Sequence, residues 1–352
     1  MIENKIYQQS VEQVANLQLP WNKFKNKSIL ITGASGLIGS FLIDVLMYKN
    51  SIEKLECKIY AVGRNMERAK KCFSQYWGEH TFSFISHDIN SPMLGFGEED
   101  VAYIFHMASN THPVAYATDP ITTITSNIIG TKNLLDFAIE HRTERFAFAS
   151  SNEIYGENRG DVELFDEHYC GYIDCNTLRA GYPESKRCGE ALCQAYYKQA
   201  GINIVIPRFT RTYGPTMMES DTKAISQFIK KALAGEDIVL KSSGTQLYSY
   251  TYVADAVAGA LIVLLCGKTG EAYNIADTKS DIMLKDLAEI IANIVGRQVV
   301  FEIPDEIEKE GYSTATKARL SGDKIKKIGW KAQYDIYSGV TETLKILTAL
   351  EK

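Results

Sequence analysis

Through the first two-thirds of the chain, short apolar runs alternate with longer segments whose apolar residues recur at helical spacing. The runs SILITG (28–33), KIYAVG (58–63), FSFISHD (82–88), VAYIFHMAS (101–109), RFAFASS (145–151) and INIVIPRF (202–209) are rich in Val, Ile and Phe. Strands buried on both faces of a parallel sheet have that pattern. Between them, GLIGSFLIDVLMYK, SNIIGTKNLLDFAIEH and PESKRCGEALCQAYYKQ read as helices. Repeated strand-then-helix order predicts right-handed crossovers and an α/β fold built on a doubly wound parallel sheet.

After about residue 210 the rhythm changes to a long loop, TYGPTMMESDTKA, then a helix and short strands around IVLKSSG and YSYTYV. The expected organisation is a lead-in over 1–27, a dinucleotide-binding domain over 28–208 and a smaller C-terminal substrate-binding lobe over 209–352. Parts of 250–275 return to the first domain. AVAGALIVLLC (256–266) is too short to span a bilayer and reads as a buried helix.

Composition narrows the function. The 352 residues are 45% apolar and 23% charged, as in an ordinary folded globule. Lys plus Arg minus Asp plus Glu is 38 − 43 = −5, which gives no overall footprint for nucleic acid but leaves room for a local phosphate pocket. The N-terminus has no apolar signal core, so neither secretion nor a membrane anchor is expected. Seven cysteines, an odd number without a CxxC, argue against a disulfide framework or metal site and for a reducing cytoplasm.

The strongest local signal is SILITGASGLIGS, where a strand runs into Gly33-x-x-Gly36-x-x-Gly39 and a helix follows. Gly33 suits a tight turn, Gly36 lets backbone approach a pyrophosphate, and Gly39 lets the helix pack on the strand. The helix start at Ser35, Leu37 and Ile38 offers free N–H groups to phosphate. This is the Rossmann arrangement for NAD(P). At the end of the second strand, where an acidic residue would bind ribose hydroxyls, the chain has Arg64 and Asn65. An arginine there fits a 2′-phosphate and favours NADP. Asp88, followed by Ile89, is placed to accept from the adenine amino group.

Tyr182 and Lys186 are four apart on a predicted helix and share a face. A nearby ammonium lowers the phenol's pKa and holds ribose. Ser151, closing the strand FASSNEIYG, would bond the oxygen being oxidised.

Taken together, GASGLIG, HDI, HMAS, N-x-x-GT-x-NLL, SSNEIYG, YPESK and R-x-x-x-x-YGP resemble the extended short-chain dehydrogenase/reductase superfamily. The likeness is to its nucleotide-sugar epimerases, dehydratases and decarboxylases. It implies that Ser151, Tyr182 and Lys186 are catalytic and that Asn127 supports the lysine through a water and a backbone kink. Met107, Ala108 and Ser109, after His106, would line the cofactor. Asn152, Arg208, Arg211, Tyr213 and Tyr248 are the expected substrate contacts, with a nucleotide-diphosphate sugar as the partner molecule.

Such enzymes oxidise the sugar at C4, act on the 4-keto intermediate and return the hydride. The dehydratases carry Thr-Asp-Glu where this chain has Ser151, Asn152 and Glu153, and an amide cannot act as the acid that expels water. Glu153 remains a candidate base or substrate ligand. Tyr248 stands where relatives carry an arginine that grips the diphosphate, and Arg211 replaces an asparagine before YGP. That exchange either moves the diphosphate grip to another wall or signals a different phosphate ligand.

Epimerisation is the first reading and UDP-glucuronate-like decarboxylation the second, ahead of 4,6-dehydration and 4-ketoreduction. A non-catalytic NADP-binding sensor or scaffold is the alternative from another class. The resemblance also implies a homodimer through helices around 121–140 and 183–200, with Leu192, Tyr196 and Tyr197 as contacts.

Overall fold

The computed structural model describes residues 1–93, 100–111, 113–302 and 316–350. Its main sheet is built from β1 (Ser28–Thr32), β2 (Lys58–Gly63), β3 (Phe82–Ser86), β4 (Tyr103–His106), β5 (Arg145–Phe148), β6 (Ser150–Ser151) and β7 (Ile204–Phe209), with a last strand at Ala272–Ile275. The order across it is Ala272–Ile275, β7, β5, β4, β1, β2, β3, and β6 also pairs with β7. Every one of these pairings is parallel.

Helices cover both faces. α1 (Lys5–Ala15), α2 (Leu37–Glu53) and the helix Val253–Cys266 pack together against one face, while α5 (Pro120–Glu140) and α6 (Gly181–Ala200) pair on the other; α3 (Met66–Cys72) and α4 (Pro113–Thr118) are short. Side chains alternate across a strand, and β1 shows the consequence. Ile29 and Ile31 join one apolar core, whereas Leu30 joins a second with Val62, Ile104, Leu134 and Phe148. The continuous apolar runs follow directly from this two-sided burial. Among the described residues no helix is long and apolar enough to cross a membrane, and Val253–Leu265 is buried throughout.

Register sets the carboxyl ends side by side. Thr32 pairs with His106, and His106 with Phe148. The segments after those residues therefore leave the sheet together, beside the point where β1 turns to β2 on one side and β4 on the other. Ligands of open α/β sheets bind at that switch point. Above it lie β8 (Arg211–Tyr213), a helix at Ala224–Leu233, β9 (Ile238–Leu240) and β10 (Leu247–Tyr252). β10 pairs with β8, so Tyr250 and Arg211 are register partners facing the same edge.

Candidate active site

A cleft of about 920 Å³ lies along the carboxyl edge of the sheet. One end is the glycine turn. Gly33 has φ +68°, and a Cβ there would lie 2.8 Å from Met107 O and Ala108 N. A Cβ on Gly39 would lie 2.5 Å from Gly33 O, so helix and turn touch only because both positions lack side chains. Gly36 caps α2 in extended conformation, leaving the helix's first N–H groups for an anion. Ser35, Gly36, Leu37 and Ile38 all line the cleft. The turn therefore fits a dinucleotide pyrophosphate.

Beside it, Arg64 and Asn65 line the same end, joined by Arg68. Asn65 Oδ1 accepts from Arg68 N at 2.9 Å and so caps α3, while Arg68 Nε donates to Ser35 O at 3.0 Å. Asp88, Ile89, Met107, Ala108 and Ser109 also face the cleft. Asp88 Oδ1 accepts from Asn90 N at 3.0 Å.

Next along the cleft come Ser151, Tyr182 and Lys186, with Asn152 and Glu153. They arrive from β6 and from the first turns of α6, which Ser185 ties to α5: Asn127 Nδ2 donates to Ser185 Oγ at 3.0 Å, and Ser185 Oγ to Tyr182 O at 2.9 Å. Lys186 Nζ donates to Ala149 O at 2.8 Å and stands over the Phe148 ring. Burial drives its pKa down to about 7.

The expected acidity of Tyr182 is corrected here. Burial pushes the phenol up to about 12; a hydrogen bond with Ser151 and the Arg179 charge pull it back, and the Glu153 charge adds to the rise. Lys186 spends its hydrogen bond on a carbonyl. Both residues line the cleft from α6, but burial dominates the phenol, and the groups that pull it down are Ser151 and Arg179.

Glu153 is likewise not a free base. Its carboxylate lies 2.6 Å from Arg179 Nη2 and 3.7 Å from Arg211 Nη2. Burial opposes ionisation, yet the two guanidiniums win and hold the group below the usual carboxylate range.

Two expected substrate contacts do not line the cleft. Arg208 is buried in a two-pronged pair with Glu190, at 2.9 and 2.6 Å, and also donates to Tyr155 Oη and Glu167 O. Tyr213 is fully buried against Tyr252, with its hydroxyl near Ile336 O. Asn127 is also fully buried off the cleft, where its Nδ2 donates to Ser185 Oγ one residue before Lys186. Arg211 and Tyr248 do line it, with the guanidinium 3.4 Å above the ring centre. Of the expected dimer contacts, Leu192 and Tyr196 pack partly against the second core and Tyr197 is exposed.

Sequence reasoning missed Tyr116 and Arg179. Tyr116 stacks on Tyr182 with ring centres 4.8 Å apart and planes 25° from parallel, and the Arg179 guanidinium lies 4.9 Å from the centre of the Tyr116 ring. The one usable signal was Arg179's position one helical turn before Tyr182.

Comparison with known proteins identifies the family and the fold. Residues 29–276 match the model of the NAD dependent epimerase/dehydratase family. UDP-glucuronic acid decarboxylase 6 of Arabidopsis thaliana is 32% identical over 319 residues, covering 90% of this chain and 87% of the relative. UDP-glucuronic acid decarboxylase 1 of Xenopus tropicalis is 31% identical, covering 96% and 76%. Two solved structures share the fold. UDP-glucuronic acid 4-epimerase from Bacillus cereus, solved with UDP-glucuronic acid and NAD, has a TM-score of 0.78 at 21% identity over 92% of this chain and 99% of that one. The dTDP-glucose 4,6-dehydratase from Streptomyces venezuelae, solved with NAD, gives 0.78 at 22% over 91% and 96%.

Proposed function

Because the chain belongs to the NAD dependent epimerase/dehydratase family, we propose that it epimerises a nucleotide-diphosphate sugar by transient oxidation at C4. The observation that carries this reading is the convergence of Ser151, Tyr182 and Lys186 on the same cleft as the glycine turn. A dinucleotide held by the glycine turn and by Met107, Ala108 and Ser109 would supply the hydride acceptor and donor at C4. Tyr182 manages the O4 proton, Ser151 orients O4 and with the Arg179 charge offsets part of the burial that raises the phenol, and Lys186 holds the cofactor's ribose. Glu153, held anionic between two arginines, takes no proton-transfer step, and epimerisation at C4 requires none from it.

Decarboxylation of a uronic acid sugar is the second reading, favoured by the relatives that are about 30% identical along nearly the whole chain. For the cofactor we assign NADP, since Arg64 and Arg68 stand together at the end where the adenosine ribose would lie. A homodimer through the outer faces of α5 and α6 belongs to the same proposal, supported by exposed Ile121, Ile129 and Tyr197.

The test is incubation of the purified protein and NAD(P) with UDP-, dTDP-, CDP- and GDP-sugars, read by mass spectrometry and proton NMR. An isobaric, stereochemically altered product supports epimerisation. Loss of carbon dioxide selects the second reading. Absence of any product from the whole panel, with cofactor bound, rejects both in favour of a sensor.

A further inference from the structure

Tyr182 packs against an aromatic neighbour to which the proposed chemistry gives no part. Tyr116 lines the cleft from α4, and its ring centre lies 4.8 Å from that of Tyr182 with the planes 25° apart. Near-parallel stacking adds to what two rings gain by burial alone. Tyr116 is 6% exposed and Tyr182 5%, so the pair shuts water away from the phenol that would react.

The segment carrying that second ring is braced on both sides. Val114 N, at the start of α4, donates to Thr222 Oγ1 at 3.4 Å, and Thr222 itself lines the cleft. Beyond the end of α4, Asp119 N donates to Ala115 O at 2.9 Å, and Thr123 Oγ1 of α5 donates to Asp119 O at 2.8 Å. Asn110 Nδ2, ahead of α4, donates to the same Thr123 hydroxyl at 3.2 Å. Tyr182 is tied to α5 as well, through Ser185 and Asn127. The two rings therefore meet on a shared support.

Two properties set Tyr116 apart from a second proton carrier. Burial lifts its hydroxyl well above the ordinary phenol range, and the Tyr182 charge adds to the rise, so it keeps its proton while Tyr182 exchanges one. Its ring also lies 4.9 Å from the Arg179 guanidinium, whose charge helps to pull Tyr182 down. What Tyr116 offers the site is a surface rather than a titrating group.

We infer that Tyr116 is a positioning residue, whose ring fixes the plane of the Tyr182 ring and keeps the phenolic oxygen beside Ser151. The inference rests on the C4-oxidation reading and deepens it. Proton exchange between a phenol and a sugar hydroxyl needs the two oxygens within hydrogen-bond reach. A misplacement of about 1 Å costs on the order of 10²-fold in rate. Ser151 restrains the oxygen of Tyr182, and the stack restrains the plane that carries it.

The test compares Tyr116→Leu, or Tyr116→Met should the first fail to fold, with Tyr116→Phe on the sugar nucleotide that the panel shows to be turned over. Tyr116→Leu should lose about 10²-fold or more in kcat while KM and NAD affinity stay within about threefold. Its turnover should also become more sensitive to deuterated water than that of wild type, because the proton step then limits it. Tyr116→Phe retains the ring and should retain kcat within about threefold. Equal losses in the two variants overturn the inference, because the hydroxyl would then be the working group. So does a raised KM at unchanged kcat in Tyr116→Leu, which would make Tyr116 a substrate contact. A second readout needs no substrate. Tetranitromethane, which nitrates accessible phenols, should modify Tyr182 in Tyr116→Leu and spare it in wild type and Tyr116→Phe, as read by peptide mass spectrometry. Equal nitration of Tyr182 in all three overturns the inference. Full turnover by Tyr182→Phe, or no product from the whole panel, sinks the C4-oxidation reading instead, and the nitration pattern still reports on the stack.

Discussion

Thr32 Oγ1 lies 2.9 Å from His106 Nδ1 in a fully buried hydrogen bond between adjacent strand ends. Thr32 Oγ1 already accepts from Met107 N and Ala108 N, both at 3.1 Å, so its own proton goes to Nδ1. On the other side His106 Nε2 is 3.0 Å from Thr131 Oγ1, whose proton is given to Asn127 O at 2.6 Å. Only one arrangement satisfies every partner: His106 is neutral and carries its proton on Nε2. The relay ties the cofactor-side segment Met107–Ala108 to the helix α5 that steadies Tyr182.

Replacing the imidazole strands hydroxyls at both ends. His106→Leu should therefore destabilise the fold by about 2–4 kcal/mol. Burial drives the His106 pKa down to about 3, against about 6.5 when unfolded. The unfolded chain thus takes up a proton that the folded one refuses, and this site's stability is complete above 6.5 and lost as pH falls towards 3. Between pH 7.5 and pH 5 the gap between wild type and His106→Leu should narrow by about 2 kcal/mol. Urea midpoints at the two pH values measure it, and a constant gap would mean the imidazole titrates normally.

Lys186 provides a pH signature at the site itself. Its pKa is lowered to about 7, so the ammonium is present below that pH and lost above it. NAD affinity should fall a few-fold between pH 6 and pH 8.5, because the dinucleotide's pyrophosphate is attracted to the charge. Lys186→Met should remove this dependence. NAD is the probe of choice, since a 2′-phosphate would titrate in the same range. Tyr182→Phe should lower kcat by about 10³-fold or more while NAD affinity stays within about threefold, measured by fluorescence titration beside steady-state turnover.

What the sequence disclosed and what it hid divide along physical lines. β1 was legible because burial on both faces makes a strand a continuous apolar run, and Gly33, Gly36 and Gly39 because backbone contacts of 2.5–2.8 Å forbid side chains at two of them. Tyr182 and Lys186 were legible as neighbours because the helix repeat fixes who shares a face. The acidity of Tyr182 was not, since desolvation is a property of the packed molecule. Nor were Tyr116 and Arg179, which reach Tyr182 and Glu153 from the short helix α4 and from a single 3-10 turn before α6, both too brief to show a periodicity. Arg208 was misplaced for a similar reason: its partner Glu190 lies on α6, and nothing local joins them.

Arg208 yields a prediction that separates support from ligand binding. With Glu190 it forms a buried pair only 10% and 13% exposed, and losing one partner of such a pair leaves an uncompensated charge. Arg208→Met should cost about 3–5 kcal/mol in thermal or urea unfolding. Under conditions where the variant is folded, its affinities for cofactor and nucleotide should match wild type. A selective loss of nucleotide binding at unchanged stability would return Arg208 to the substrate contacts.

The choice between cofactors turns on Arg64 and Arg68, which differ in how they are held. Arg68 is anchored to Ser35 O and belongs to the turn as much as to the adenosine end. Arg64 is exposed, with its side chain free to meet a phosphate at the mouth of the cleft. A guanidinium–phosphate contact is charge-assisted and bidentate, whereas a ribose hydroxyl offers it little. Arg64→Ala should therefore raise the Kd for NADP about tenfold or more and change that for NAD by less than about threefold. Arg68→Ala should weaken both, because it also loosens the glycine turn. Fluorescence titration of each variant with both dinucleotides decides it: parallel losses for Arg64→Ala would place the arginine on a group common to the two, and the assignment to NADP would fail.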